Sequence, residues 1–264
     1  MGSKPPTRPR GFPGAHLRAE ATPRAVAALS DSLPAGTAIP AHSHRRGQLI
    51  FAVRGTMTVR VSGSLWILPP SHALWVPPGV VHEIRASGQV EMRTLYVQPQ
   101  VAPRPEMQCA VLYVSPLLRE LIVRAMDLPA LYDERGMDGR LMKLVLDEIA
   151  LMPPQPLELR MPRDPRLQRL CDLVLGDLSC RASIAKLGAS VGLSERSVIR
   201  LFSRDTGMSF GRWLSQAKLL KAFEMFEHGH SVTRVALELG YASPTAFAKM
   251  FRRLMGKAPT EMLS

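Results

Sequence analysis

The sequence predicts an α+β protein: a β-barrel in the first half, a helical connection, and an all-α C-terminal domain. Three observations carry this expectation. Between Thr37 and Val97, short apolar runs (LIFAV, MTVRV, LWIL, EMRTLYV) are broken by Gly, Pro and Ser at regular intervals, as in a compact barrel or sandwich. The stretch MPPQPLELRMPRDPRL carries five prolines in sixteen residues and cannot continue a helix, so it separates two domains. Beyond Asp164 the chain reads as helix throughout and contains an internal repeat.

Taken in order, the opening MGSKPPTRPRGFPGAHLR is basic and proline-rich, with no apolar run behind it. It lacks the middle region of a secretion signal, so residues 1–30 are expected to form a disordered tail. The barrel follows over 31–105. In 106–152 the apolar spacing becomes helical, first through Leu117, Leu118, Leu121 and Ile122, then through Leu141, Leu144, Val145 and Ile149. The segment Asp133–Gly139 (DERGMDG) reads as the loop between these helices. Leu117, Leu121, Leu141, Leu144 and Val145 suit either a homodimer seam or an intramolecular helical core. A linker occupies 153–165, and the helical domain occupies 166–264.

Length and composition narrow the function classes. At 264 residues two domains are the natural division, and 46% apolar residues suffice for real cores. No run of about 18 uncharged apolar residues occurs, which argues against a membrane span. Cys109, Cys171 and Cys180 are odd in number and form no CxxC pair, in keeping with a reducing cytoplasm. The net charge of +12 is unevenly spread. Residues 25–165 hold fourteen Lys/Arg against thirteen acids, whereas 166–264 hold fifteen against eight. A polyanionic partner for the C-terminal domain follows most simply.

The repeat aligns SIAKLGASVGLSERSVIRLFSRDTG (Ser183–Gly207) with SVTRVALELGYASPTAFAKMFRRLMG (Ser231–Gly256). Each copy opens on a helix-capping Ser183 or Ser231, runs through a helix of about nine residues, and turns at Gly192 or Gly240. A second cap, Ser194 or Ser243, starts another helix. Each copy is thus a helix-turn-helix unit, whose second helix fits the DNA major groove. Val198, Leu201 and Phe202 are expected inside, leaving Glu195, Arg196, Ile199 and Arg200 to face out. In the second copy Phe247, Met250 and Phe251 face in, while Pro244, Thr245, Ala248 and Lys249 face out. Ser209–Glu227 reads as one connecting helix of about 19 residues, close to 28 Å long. It could hold two reading helices near one duplex turn, about 34 Å, apart. Trp213 within it is expected in the core.

This C-terminal hundred residues resembles the AraC family of bacterial regulators, most specifically over ALELGYASPTAFAKMFRRLMGKAPTEM. GASVGLSERSVIRLFSRDTGMSFGRWL follows the family pattern too, except that Phe210 stands where proline is frequent. The resemblance implies double-stranded promoter or operator DNA as partner. It implies base reading by Arg196 and Arg200, with Glu195 beside them, and by Pro244, Thr245 and Lys249 behind the Ser243 cap. Arg204, Arg252, Arg253 and Lys257 near the helix ends suit phosphate contacts.

The N-terminal half carries IPAHSHRRGQLIFAVRG, in which His42 and His44 lie two apart with Gln48 four further on. Later LWVPPGVVHEI places Pro77, Gly79 and His82 in sequence. Residues two apart in a strand share a face, so His42, His44, Gln48 and His82 can converge inside a barrel. This resembles the cupin barrel, whose enzymes hold iron, manganese, nickel or zinc on such a set. Here Gln48 replaces the acidic ligand, but three imidazoles alone can hold a divalent transition metal. Three readings stay open: a metal site on His42, His44 and His82, a metal-free effector pocket, or inert barrel-lining histidines. Trp66 and Trp75 flank the region and either wall the pocket or belong to the core.

The resemblance therefore implies a cytoplasmic, dimeric transcription regulator that responds to a small-molecule effector and is not an enzyme. The alternative is a metal-dependent cupin enzyme, of dioxygenase or isomerase type, carrying a nucleic-acid-binding domain. The neutral Gln48 counts against that alternative.

Overall fold

The computed structural model describes residues 12–263 except 62, 87, 104–107 and 156. The chain forms two compact units: the part up to Ser62 with Trp66–Gln155, and Gly63–Leu65 with the part from Pro156 onward.

In the first unit, α1 (Phe12–Ala21) precedes eight strands: β1 (Val26–Leu33), β2 (Ala38–His42), β3 (Gly47–Arg54), β4 (Met57–Val61), β5 (Ser64–Leu68), β6 (His72–Val76), β7 (His82–Ala86) and β8 (Val90–Val97). A ninth strand, β9 (Ala110–Tyr113), leads to α2 (Pro116–Ala125), α3 (Met137–Leu151) and the short β10 (Pro154–Gln155). One sheet runs β1-β8-β3-β6-β9-β10 and the other β5-β4-β7-β2. The expected barrel is thus built from two open sheets rather than one closed ring.

Pairing register sets which side chains face which core. Gln48 lies opposite Val76 on β6 and Tyr96 on β8, whereas Leu49 lies opposite Trp75 and Leu95. Side chains alternate along a strand, so these two rows point to opposite faces. The Leu49 row, with Phe51, Ala73, Trp75 and Val97, packs against Leu118 and Ile122 of α2 and Met142, Val145 and Ile149 of α3. Trp75 is fully buried there, on the face away from Gln48, so it cannot wall a pocket around that residue. Sequence alternation alone could not decide this, because the face follows from pairing with β3.

The expected tail is also corrected over its described part, since α1 and the first residues of β1 lie within 12–30; residues 1–11 lie outside the described residues. β1 (VAALSDSL) is rich in small and polar residues, which are weak strand formers. Pairing with β8 along its whole length, from Val26 opposite Val97 to Leu33 opposite Val90, overrides that preference. Arg46, itself only 5% exposed, ties the preceding segment down. Its guanidinium donates to the carbonyls of Arg24 and Ala25 at 2.9 and 3.5 Å, and to that of Thr22.

Of the five candidate seam residues, Val145 is fully buried in the sheet–helix core, and Leu121 and Leu141 are partly buried against it. Leu117 and Leu144 remain 52% and 42% exposed. α3 begins at Met137, inside the segment read as loop. The proline-rich stretch ends α3 as expected, yet it is folded: Leu157 and Leu159 are fully buried around β11 (Glu158–Arg160).

The second unit contains α4 (Pro165–Gly176), α5 (Ile184–Ser190), α6 (Glu195–Thr206), α7 (Phe210–Glu227), α8 (Val232–Glu238), α9 (Pro244–Met255) and α10 (Pro259–Leu263). α5 and α8 have seven residues each rather than about nine, because the chain leaves the helix before each glycine. Gly192 and Gly240 both adopt φ +73°. At Gly240 a Cβ would also lie 2.6 Å from the Ser179 carbonyl oxygen, so only glycine fits that turn. The connecting helix α7 serves two cores. Near its start Phe210 and Trp213 meet Phe202 of α6, with ring centroids 5.4 and 5.7 Å away. Near its end Phe223 lies 5.6 Å from Phe251 of α9, and Phe226 lies 6.2 Å from Phe247. Trp213 is fully buried and donates its indole N–H to the Arg160 carbonyl at 3.0 Å, so it is a core residue as expected. Among the described residues no helix is long and apolar enough to cross a membrane.

Candidate DNA-reading surface and histidine centre

Both second helices start on the expected caps. The Ser194 hydroxyl accepts from the Ser197 amide, and the Ser243 hydroxyl accepts from the Ala246 amide, each at 3.2 Å. Ser183 and Ser231 cap α5 and α8 in the same way. Such caps satisfy otherwise orphaned amides and fix where each helix begins. Rotation about the axis is fixed by burial: Val198 and Phe202 on α6, and Phe247 and Phe251 on α9, are fully buried.

The opposite faces are open. Glu195, Arg196, Ile199 and Arg200 are exposed on α6, as are Thr245 and Lys249 on α9, with Pro244 and Ala248 half-buried. Among the described residues neither Arg196 nor Arg200 has an ion pair, leaving both guanidinium groups available to a polyanion. Arg204 instead bridges to Asp205 at 2.8 Å, and Asp205 accepts from the amides of Arg163 and Asp164 ahead of α4. Arg252, Arg253 and Lys257 are exposed at and beyond the end of α9. α7, at 18 residues, is about 27 Å long.

In the first unit the three histidines meet. The ring of His42 lies 4.8 Å from that of His44 and 4.3 Å from that of His82, and one nitrogen from each falls within 4.8 Å of the others. A β-bulge brings this about: β2 shifts register between Ile39 and His42, placing His42 directly opposite His82 on β7. Pro40 lies in the shift, where a missing amide is tolerated. His44 stands just beyond β2, and its carbonyl accepts from the Gly79 amide at 2.8 Å, joining the two histidine-bearing motifs.

The Nδ1 atoms are all engaged with acceptors. That of His42 is 2.7 Å from the Pro40 carbonyl, and that of His82 is 3.1 Å from the Val80 carbonyl. That of His44 is 3.3 Å from the Glu20 carboxylate. A carbonyl or carboxylate can only accept, so each neutral ring carries its proton on Nδ1 and its lone pair on Nε2. Burial pushes His82 down to about 4, the Val80 carbonyl opposing this, so it stays neutral through the physiological range. Imidazoles held from behind at Nδ1 and carrying the ring lone pair on Nε2 are the donor set a divalent transition metal requires. The residues therefore fit such an ion.

Gln48 is buried nearby in the interior row, and its amide donates to the Thr94 hydroxyl at 3.0 Å and the Tyr96 hydroxyl at 3.3 Å. That orientation leaves its carbonyl oxygen buried without a partner among the described residues. Tyr96 also lies edge-on to His44, with centroids 4.9 Å apart, and burial raises its phenol above the ordinary range. Trp66, 5% exposed on β5, likewise has a buried indole N–H without a partner. Two cavities lie elsewhere, against the outer face. One of about 420 Å³ and one of about 230 Å³ share Val26, Tyr132 and Met142. Sequence reading missed Glu20, Thr94 and Tyr96. Glu20 lay in the presumed tail, and the other two acquire their roles only by pairing with β3.

Comparison with known proteins agrees with both halves. The helix-turn-helix domain family matches residues 187–264, and the cupin domain family matches residues 31–98. The HTH-type transcriptional regulator NimR of Escherichia coli K12 is 33% identical over 236 residues, 88% of this chain and 86% of NimR. The HTH-type transcriptional activator RhaS of Escherichia fergusonii is 24% identical, covering 89% of this chain and 91% of its own. Among solved structures, ToxT from Vibrio cholerae O395 aligns over 90% of this chain and 97% of its own, with 10% identity and a TM-score of 0.38. With a third of its residues shared with NimR over nearly the whole of both chains, the protein belongs to the AraC family of transcription regulators, a cupin-type N-terminal domain joined to a helix-turn-helix DNA-binding domain.

Proposed function

We propose that the chain reads promoter or operator DNA with α6 and α9 and senses a small molecule in its N-terminal unit, as a cytoplasmic regulator rather than an enzyme. The observation that carries this reading is the pair of serine-capped helices, each with a buried apolar face and an exposed first turn. Arg196 and Arg200 contact base edges, while Arg204, Arg252, Arg253 and Lys257 position the duplex through phosphates. Pro244, Thr245 and Lys249 occupy the matching positions of the second helix.

The effector site is the histidine centre with Gln48 and Trp66. His42, His44 and His82 hold a divalent transition metal through Nε2, and bound metal would offer open coordination positions to an effector donor atom. His42 is half-buried, which leaves a way in. Gln48, fixed by Thr94 and Tyr96, supplies a neutral acceptor where cupin enzymes place a carboxylate, and this favours ligand binding over turnover. Effector binding shifts DNA affinity only to the extent that it binds two states of the protein unequally. The chain acts as a homodimer through the outer face of α3, where Met137, Leu144 and Leu151 are 74%, 42% and 72% exposed at heptad-like spacing, with Leu117 on α2.

The test is selection of bound sequences from a random DNA pool by the full chain. The expected result is two selected blocks about one turn, roughly 34 Å, apart. Recovery of no motif, with only salt-sensitive binding, would overturn the assignment.

A further inference from the structure

The two reading helices offer different chemistry at equivalent positions. Counting from the capping serine, Glu195 and Arg196 on α6 match Pro244 and Thr245 on α9, and Ile199 and Arg200 match Ala248 and Lys249. α6 therefore presents one carboxylate, two guanidinium groups and the single hydrocarbon side chain of Ile199, all exposed. On α9 the same face presents a pyrrolidine ring, a threonine and an alanine methyl. These line an open groove with Val232, Lys249 and Arg252. Residues three and four apart share one helix face, so Pro244, Thr245 and Ala248 form a single apolar patch at the end that enters the groove. The Ser243 cap and the buried Phe247 and Phe251 fix its direction.

We infer that α9 selects its half of the operator by contact with thymine methyl groups, whereas α6 reads a G·C-containing block. In the major groove the thymine C5-methyl is the one base feature that rewards hydrocarbon, and alanine and the threonine methyl are suited to it. Arginine is suited to the paired acceptors of guanine, and glutamate to the cytosine amino group. Lys249 adds one donor at the edge of the patch, and Arg252 and Arg253 behind it take phosphates. This inference rests on the reading of α6 and α9 as the DNA-contacting helices.

The test uses the full chain and the operator it selects. Arg200→Ala identifies the α6 block as the one whose sequence preference it relaxes. Thymines are then replaced by deoxyuridine in one block at a time, which removes the methyl and leaves base pairing intact. Burial of one methyl is worth about fourfold in affinity, so each contacted thymine in the α9 block should show a loss near that size. The same replacement in the α6 block should cost affinity at no more than the one thymine that faces Ile199. Thr245→Ser should erase the thymine–deoxyuridine difference at one position, and Thr245→Val should keep it. Equal affinity for both bases throughout the α9 block overturns the inference, as does a G·C-rich α9 block relaxed by Lys249→Ala. Failure to select any block refutes the assignment of the two helices instead, a distinct result.

Discussion

Removing the Glu20 carboxylate should weaken metal binding at a centre that Glu20 does not itself coordinate. Glu20 lies 3.3 Å from His44 Nδ1, and its two oxygens also accept from the Arg45 amide at 3.1 and 3.2 Å. It thereby sets the His44 tautomer and aims Nε2 at His42 and His82. Deleting a partner behind a ligating imidazole lowers metal affinity about 10- to 100-fold. At 3.3 Å this bond is long for a charged pair, and the Glu20 side chain keeps 18% of its exposure. The low end applies, about tenfold or roughly 1.4 kcal/mol for Glu20→Ala. Glu20→Gln retains an accepting oxygen but loses the charge, which about halves the bond strength, so about threefold is expected. Competition between the full chain and a chromogenic chelator for Co(II) measures the affinity, and the visible bands of the ion report its geometry. His82→Ala serves as the variant that should lose the ion. Wild-type affinity and spectrum in Glu20→Ala would refute the account of how His44 is held. Failure of wild-type protein to bind Co(II), Zn(II), Fe(II), Mn(II) or Ni(II) would refute the metal reading itself.

Three other perturbations reach different parts of the molecule. Arg200→Ala should cost about 1–3 kcal/mol on the selected operator and little on random DNA, measured by fluorescence anisotropy; equal losses on both would move Arg200 to the phosphate-contacting class. Gly192→Ala and Gly240→Ala impose the same left-handed strain at φ +73°, but only the second also drives a Cβ to 2.6 Å from the Ser179 carbonyl oxygen. Chemical denaturation should show a loss of about 1 kcal/mol for the first and clearly more for the second, and equal losses would discount the clash. Burial holds His72 down at about 3 in the folded state, against about 6.5 when unfolded. Only the unfolded chain takes up this proton between those values. The contribution is therefore complete above pH 6.5 and declines by up to about 1.4 kcal/mol per unit as pH falls toward 3. Melting curves between pH 7.5 and 5 should be flatter for His72→Gln than for wild type, and parallel curves would contradict the assignment.

What was legible in the sequence divides along a physical line. The four capping serines, the turn glycines and the inward aromatic residues of the helix-turn-helix units obey rules that act within about four residues, and each stands where it was expected. The histidine pair was legible from its two-residue spacing, although the structure reaches convergence by another route. His42 owes its aim to a bulge in β2, and His44 lies past the strand end, so period-two alternation alone does not bring them together. The misread features depend on strands far apart in sequence. Trp75 faces the helices because Leu49 pairs with it, and β1 is ordered because β8, some sixty residues on, accepts it. Glu20 reaches His44 because Arg46 and the β1–β8 pairing hold the chain that follows it. The capped helices and their exposed faces, on which the proposed DNA reading rests, are a product of local rules and so could be placed residue by residue. The histidine centre is a product of long-range register, and its supporting residues had to be seen in place.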